Sequence, residues 1–140
     1  MSTEENKAKI RRIVEEVSNK GNMAVADEII AKNYVFHGSG GQEFKGPEGF
    51  KQYMTMMRNA FPDLHITLED IVAEGDKVMH RARMRGTFEG EIMGIAPTGK
   101  QVDMSVVTVS RFAGGKEAEA WQYADTLAMY QQMGVTPPMG

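Results

Sequence analysis

The chain contains no cysteine, which removes disulfides, thiolate metal sites and a cysteine nucleophile from consideration. It also lacks a basic excess: the net charge is -3, whereas a surface that holds nucleic acid normally carries a surplus of lysine and arginine. No stretch approaches the ~20 apolar residues of a membrane-spanning helix. The polar start MSTEENKAKIRR has none of the apolar run of a secretion signal. A cytoplasmic protein with no nucleic-acid and no membrane partner is therefore expected. Histidine is scarce, three in all, and no His-x-His or paired-carboxylate spacing occurs, so neither a metal nor a cofactor is expected. No period marks a repeat.

What is present is the composition of an ordinary folded domain. A chain of 140 residues, 41% hydrophobic and 25% charged, is long enough for one real core and too short for two. Residues 1–134 are expected to form that domain, with 135–140 as a tail.

The first half reads as helical. From Thr3 as N-cap, Ala8, Ile10, Ile13, Val14 and Val17 fall at helical spacing until Gly21. A short second helix with Met23, Val25, Ala26, Ile29 and Ile30 buried leads into an extended Tyr34-Val35-Phe36-His37. Gly46-Pro47 opens a third helix, proline suiting a first turn, and Phe50, Tyr53, Met54, Met57 and Phe61 line one side of it until Pro62. After Asp63 the period becomes two. Residues 64–73, 77–88, 101–112 and 117–125 are rich in Val, Ile, Thr and aromatics and are separated by turn signals such as Glu74-Gly75-Asp76 and Gly114-Gly115. An antiparallel meander is expected, closed by a helix from Thr126 to Met133.

Residues 94–101, GIAPTGKQ, come within one residue of a phosphate-binding loop. That loop needs a helix directly after it, so that amides at the helix start meet the phosphates, and a Ser or Thr to hold magnesium. Gln101 supplies no such hydroxyl, and Val102 to Val109 form a strand-like run. Pro97-Thr98-Gly99 is therefore expected to be a turn between strands.

Several short motifs occur in a telling order: Phe61-Pro62-Asp63-Leu64, Gly75-Asp76-Lys77-Val78, Arg81, Gly86-Thr87, Gly94-Ile95, Pro97-Thr98-Gly99-Lys100, Arg111-Phe112, Trp121 with Asp125, and Gln132-Met133-Gly134. Together they resemble the SnoaL-like polyketide cyclase and ester cyclase family, over nearly the whole chain. The resemblance implies the α+β cone of the nuclear transport factor two-like superfamily: three N-terminal helices on the concave face of a curved antiparallel or mixed sheet, and a short C-terminal helix. It also implies an apolar pocket for a small hydrophobic carbonyl, ester or polyketide-like molecule, and a homodimer formed through the sheet. Val107 and Val109 would fit that interface.

Strand alternation separates Ala118, Ala120, Gln122 and Ala124 from Glu117, Glu119, Trp121, Tyr123 and Asp125, and Met104, Val106, Thr108 and Ser110 from Asp103, Ser105, Val107, Val109 and Arg111. Periodicity does not say which set faces inward. By resemblance, the polyketide cyclases place an acid/base Asp where Gln122 stands and an assisting His where Thr108 stands, which makes the first set of each strand the pocket side. Many ester-cyclase-like members also carry a His where Phe88 stands. An amide cannot remove a proton next to a carbonyl and return it to a new oxygen, as ring closure by aldol addition requires; Gln122 and Thr108 can still hold a ligand through hydrogen bonds.

For proton transfer two candidates remain. His37 matches a family histidine near the pocket mouth, or is an exposed loop residue. Asp125 is either the cap of the last helix or an acid/base group beside Trp121. His65 and His80 are expected on the surface or in pairs. Ligand contacts are expected from Gln122, Trp121, Thr108, Met104, Phe61, Met57, Tyr53 and Arg81, the arginine through an anionic group unless it serves an ion pair. Twelve methionines suit a cavity wall that adapts to ligand shape. If neither candidate group works as an acid/base, the protein is a binding module and not an enzyme.

Overall fold

The computed structural model describes residues 2–136. Helix α1 (Thr3–Arg12) continues as π-helical turns (Ile13–Asn19), and α2 (Ala24–Ile29), β1 (Ile30–His37), β2 (Glu43–Lys45) and α3 (Gly46–Ala60) follow. Strands β3 (His65–Glu74), β4 (Lys77–Thr87), β5 (Gln101–Ala113) and β6 (Lys116–Ala124) then lead to α4 (Thr126–Met133). The sheet order is β2-β1-β6-β5-β4-β3. Strands β3 to β6 form the expected antiparallel meander. The mixed character comes from β1, which runs parallel to β6, a pairing that the long connection through β2, α3 and β3 to β5 allows.

The first helix begins one residue earlier than its apolar pattern indicates. Ser2 is the N-cap: its hydroxyl accepts from the Glu5 amide at 3.0 Å and donates to the Glu5 carboxylate at 3.1 Å. Ser-x-x-Glu is the favoured capping pair, and Asn6 is left free to be buried, at 2% exposure. At the other end of the chain Gly134 takes φ 77°, the left-handed conformation that stops a helix without a Cβ penalty. Val135 still packs against the core; of the expected tail, residues 137–140 lie outside the described residues.

Helix α3 presents Phe50, Tyr53, Met54 and Met57 inward, as their i, i+3, i+4, i+7 spacing requires. The core joins this face to Val17, Ile29, Tyr34, Phe61, Phe88 and Val102, all buried. Gly86 is needed there, since a Cβ would meet the Phe61 side chain at 2.8 Å.

The segment resembling a phosphate loop lies in the excursion between β4 and β5. Phe88 N–H donates to the Lys100 carbonyl at 2.9 Å and Gly99 N–H to the Phe88 carbonyl at 2.8 Å, closing it as an extension of the two strands. Strand β5 follows at once, with no helix to receive a phosphate. Among the described residues no helix is long and apolar enough to cross a membrane.

Candidate functional site

The concave face encloses a hollow with two chambers. One, of about 120 Å³, lies under the first helical segment and α3, walled by Ile13, Val14, Tyr34, Met54, His80 and Glu117 among others. The second, of about 350 Å³, is rimmed by the 38–42 loop, the 92–95 turn and α4, with Met56, Phe61, Met93, Met104 and Met133 in its wall. Tyr53, Met57, Met84, Val106 and Gln122 line both, so the chambers meet at one waist. There the Tyr53 hydroxyl and the Gln122 side-chain amide stand 3.3–3.4 Å apart, either able to donate to the other. Burial raises the Tyr53 pKa, the hydrogen bond with Gln122 opposing it less strongly, so it is a neutral phenol.

The alternation places its inward set correctly on β5 and β6 with one exception, Glu117. Phe112 pairs with Glu117, whereas Arg111 pairs with Glu119, so Ala118 is an extra residue in β6. Such a bulge lets two successive residues share one face. Glu117 and Ala118 are both buried, at 4% exposure each, and Glu117 enters the helix-covered chamber. It is the one carboxyl among the described residues lining either chamber. Burial pushes its pKa up to about 7; the Ser110 hydroxyl beside it acts less strongly in the opposite sense, without a well-aligned hydrogen bond to a protein partner. Ionising it would also disfavour a tyrosinate at Tyr34, whose phenol burial already pushes well up.

His80 lies in the same wall, between Ile71 on β3 and Thr108 on β5. Burial lowers its pKa to about 4, so the ring is neutral at pH 7. Its Nδ1 is covered and has no partner among the described residues. It is thus neither on the surface nor in a pair. The sequence held the signal: His80, Ala82 and Met84 alternate with Arg81, Arg83 and Arg85, and β4 turns that row, with Val78, inward.

Of the expected ligand contacts, Thr108 lines the helix-covered chamber, Met104 and Phe61 the loop-rimmed one, and Tyr53, Met57 and Gln122 both. Four expected site residues line neither. Asp125 caps α4, its carboxylate accepting from the Ala128 amide at 3.0 Å, and is exposed. His37 lies on the outer face of the sheet, its Nε2 2.7 Å from Glu119 and Nδ1 3.2 Å from Glu43. Trp121, one residue from Gln122 and so on the opposite face, stacks on the His37 ring at 5.6 Å and 14°. Arg81 is also outward and binds Asp70, at 2.9 Å from Nε.

A family model described as SnoaL-like polyketide cyclase matches residues 8–133. The chain is 29% identical over 129 residues to the aklanonic acid methyl ester cyclase DauD of Streptomyces sp. (strain C5), covering 89% of this chain and 79% of that protein. It is equally similar, 29% over 129 residues, to the aklanonic acid methyl ester cyclase DnrD of Streptomyces peucetius, covering 89% and 88%. Among solved structures, a SnoaL-like protein from Jannaschia sp. CCS1 superposes with TM-score 0.88 at 26% identity, covering 96% and 95% of the two chains. Wild-type IdmH from Streptomyces antibioticus does so with TM-score 0.78 at 32% identity, covering 92% and 98%. With the curved sheet, the helices on its concave side and the hollow between them, these matches show that the chain belongs to the SnoaL-like polyketide cyclase family.

Proposed function

We propose that the protein binds a small hydrophobic carbonyl, ester or polyketide-like compound in the two-chambered hollow and acts on it by acid–base chemistry. The observation that carries this reading is the waist: in a hollow walled largely by Met, Phe, Ile and Val, two hydrogen-bonding groups, Tyr53 and Gln122, stand where the chambers meet, with Thr108 further into the helix-covered chamber. Apolar walls with a few placed hydrogen-bonding groups are what holds and orients a compact organic ligand. The relatives named as aklanonic acid methyl ester cyclases support a polyketide-like ligand. For ring closure a proton leaves the carbon beside one carbonyl, that carbon bonds to a second carbonyl carbon, and the new alkoxide takes a proton. The product is an isomer of the substrate, so no co-reactant is needed.

A second reading, a binding module without turnover, is favoured by a different observation. Gln122 and Thr108 cannot ionise near neutrality, and Asp125 and His37 line neither chamber. Titration with aklanonic acid methyl ester separates the readings. Binding raises the melting temperature in both, because the ligand prefers the folded state; formation of an isomer of unchanged mass but altered chromatographic retention supports the enzyme. Neither stabilisation nor conversion contradicts both.

The protein also acts as a homodimer through the outer face of its sheet. Val72, Met79, Val109 and Trp121 pair in register across β3, β4, β5 and β6, forming an apolar row. Met79 is 43% exposed and Val72 54%, more apolar surface than a monomer needs to leave uncovered in one row.

A further inference from the structure

The helix-covered chamber has a polar end that neither the waist nor the family comparison accounts for. Glu117 is turned into it by the bulge at Ala118. Ser110, 0% exposed, stands beside Glu117 and its hydroxyl acts on that carboxyl; His80 Nδ1, on a residue of the chamber wall, has no partner among the described residues. Native structures rarely leave a buried polar atom unpaired, and one in a cavity wall beside an acid calls for water or a ligand. No lysine, arginine or histidine bears on the Glu117 carboxyl among the described residues, so the group is not held for a structural ion pair. The remaining wall is apolar, with Ile10, Ile13, Val14, Phe50, Met54 and Leu64.

Size narrows the occupant. The chamber measures about 120 Å³, and an apolar protein cavity of roughly 150 Å³ holds benzene. Charge narrows it further. A cation would have to leave water for an apolar chamber with a single acid as compensation, whereas a neutral hydroxyl gives up little and gains an acceptor.

We propose that this chamber is a subsite for one benzene-sized ring carrying a phenolic or enolic hydroxyl, which donates its hydrogen bond to Glu117. The proposal rests on the reading of the hollow as a ligand pocket and adds to it which end of the ligand enters first. A larger molecule seats its hydroxylated end ring against Glu117 and extends past Tyr53 and Gln122 into the loop-rimmed chamber.

The test uses three probes of one size, phenol, toluene and benzylamine, titrated into the full-length protein by calorimetry and followed by NMR shifts of the Ile10, Ile13 and Val14 methyl groups. Phenol is expected to bind about tenfold more tightly than toluene, the ratio a hydrogen bond to a partly ionised carboxyl gives. In Glu117→Leu that preference disappears while toluene binding persists; Glu117→Gln, which keeps a neutral acceptor and the side-chain shape, retains part of it. Phenol no tighter than toluene in the unaltered protein overturns the assignment to Glu117 and leaves the hollow as a pocket. A preference for benzylamine overturns it in favour of a cation site. Binding of none of the three removes the subsite, while stabilisation by aklanonic acid methyl ester in the same protein still tells whether the larger pocket reading stands.

Discussion

Glu117 faces Phe112 across β5 and β6, but the next pair along the ladder is Glu119 with Arg111. The one unmatched residue, Ala118, decides the chemistry of the hollow. In a regular ladder Ala118 would pair with Phe112 and Glu117 would follow Glu119 to the outer face, where Arg111 and His37 already stand.

A buried acid that holds its proton makes folding pH-dependent. The folded pKa of Glu117 lies near 7, above its ordinary 4.5, so the native chain binds the proton more tightly than the unfolded one. Its contribution is fully present below pH 4.5 and is lost as pH rises through 7. The loss is about 3 kcal/mol at most, from roughly 2.5 units at 1.36 kcal/mol each. Glu117→Gln should therefore melt at a higher temperature than the unaltered protein at pH 8, with a smaller difference at pH 5. Facing Glu117 in the chamber are the titratable Tyr34 of β1, Tyr53 of α3 and His80 of β4; the first helical segment contributes apolar side chains and Ser18.

His80 works in the opposite sense. Its folded pKa of about 4 is below the ordinary 6.5, so the unfolded chain binds the proton more tightly and stability rises with pH between the two values. In the unaltered protein the two slopes oppose each other between about pH 4.5 and 6.5. Denaturant titrations should show Glu117→Gln gaining stability with pH across that window, and His80→Phe losing it.

Asp125 is expected to matter for folding alone. Asp125→Ala removes the bond to the Ala128 amide and should cost about 1 kcal/mol, with Asp125→Asn costing much less, since Asn caps nearly as well. Binding of aklanonic acid methyl ester should be unchanged in both variants.

Met79→Glu places a charge in the middle of the outer apolar row. Light scattering should report a monomer for this variant and a dimer for the unaltered protein, with the hollow still binding its ligand. A dimer of undiminished strength would move the interface elsewhere.

Much of the fold was legible because period and punctuation agree. The final helix begins at Thr126 and ends at Met133 as its pattern indicates, with Asp125 and Gly134 as its caps. The four long strands fall within one or two residues of their alternating runs. The turn-up of the site was less legible, for three physical reasons. A bulge moves Glu117 across the sheet without altering composition. Alternation cannot place a residue relative to a pocket; the resemblance that sets Gln122 inward sets Trp121 on the opposite face, so both could not be ligand contacts, and Trp121 stacks on His37 there. And a lone histidine in a strand carries no sign of which neighbours will cover it: only the apolar row Val78, Ala82 and Met84 around His80 pointed inward. The parallel pairing of β1 with β6 joins segments some eighty residues apart, which local pattern does not encode.

Glu117 is a carboxyl buried in a largely apolar chamber, and its ionisation can be observed directly. Carbon-13 NMR of the Glu117 side-chain carboxyl, assigned by comparison with Glu117→Gln and followed from pH 3 to pH 9, should give a midpoint near 7. A midpoint near 4.5, the ordinary value for glutamate, would mean that the carboxyl meets water and that the chamber is not the site described.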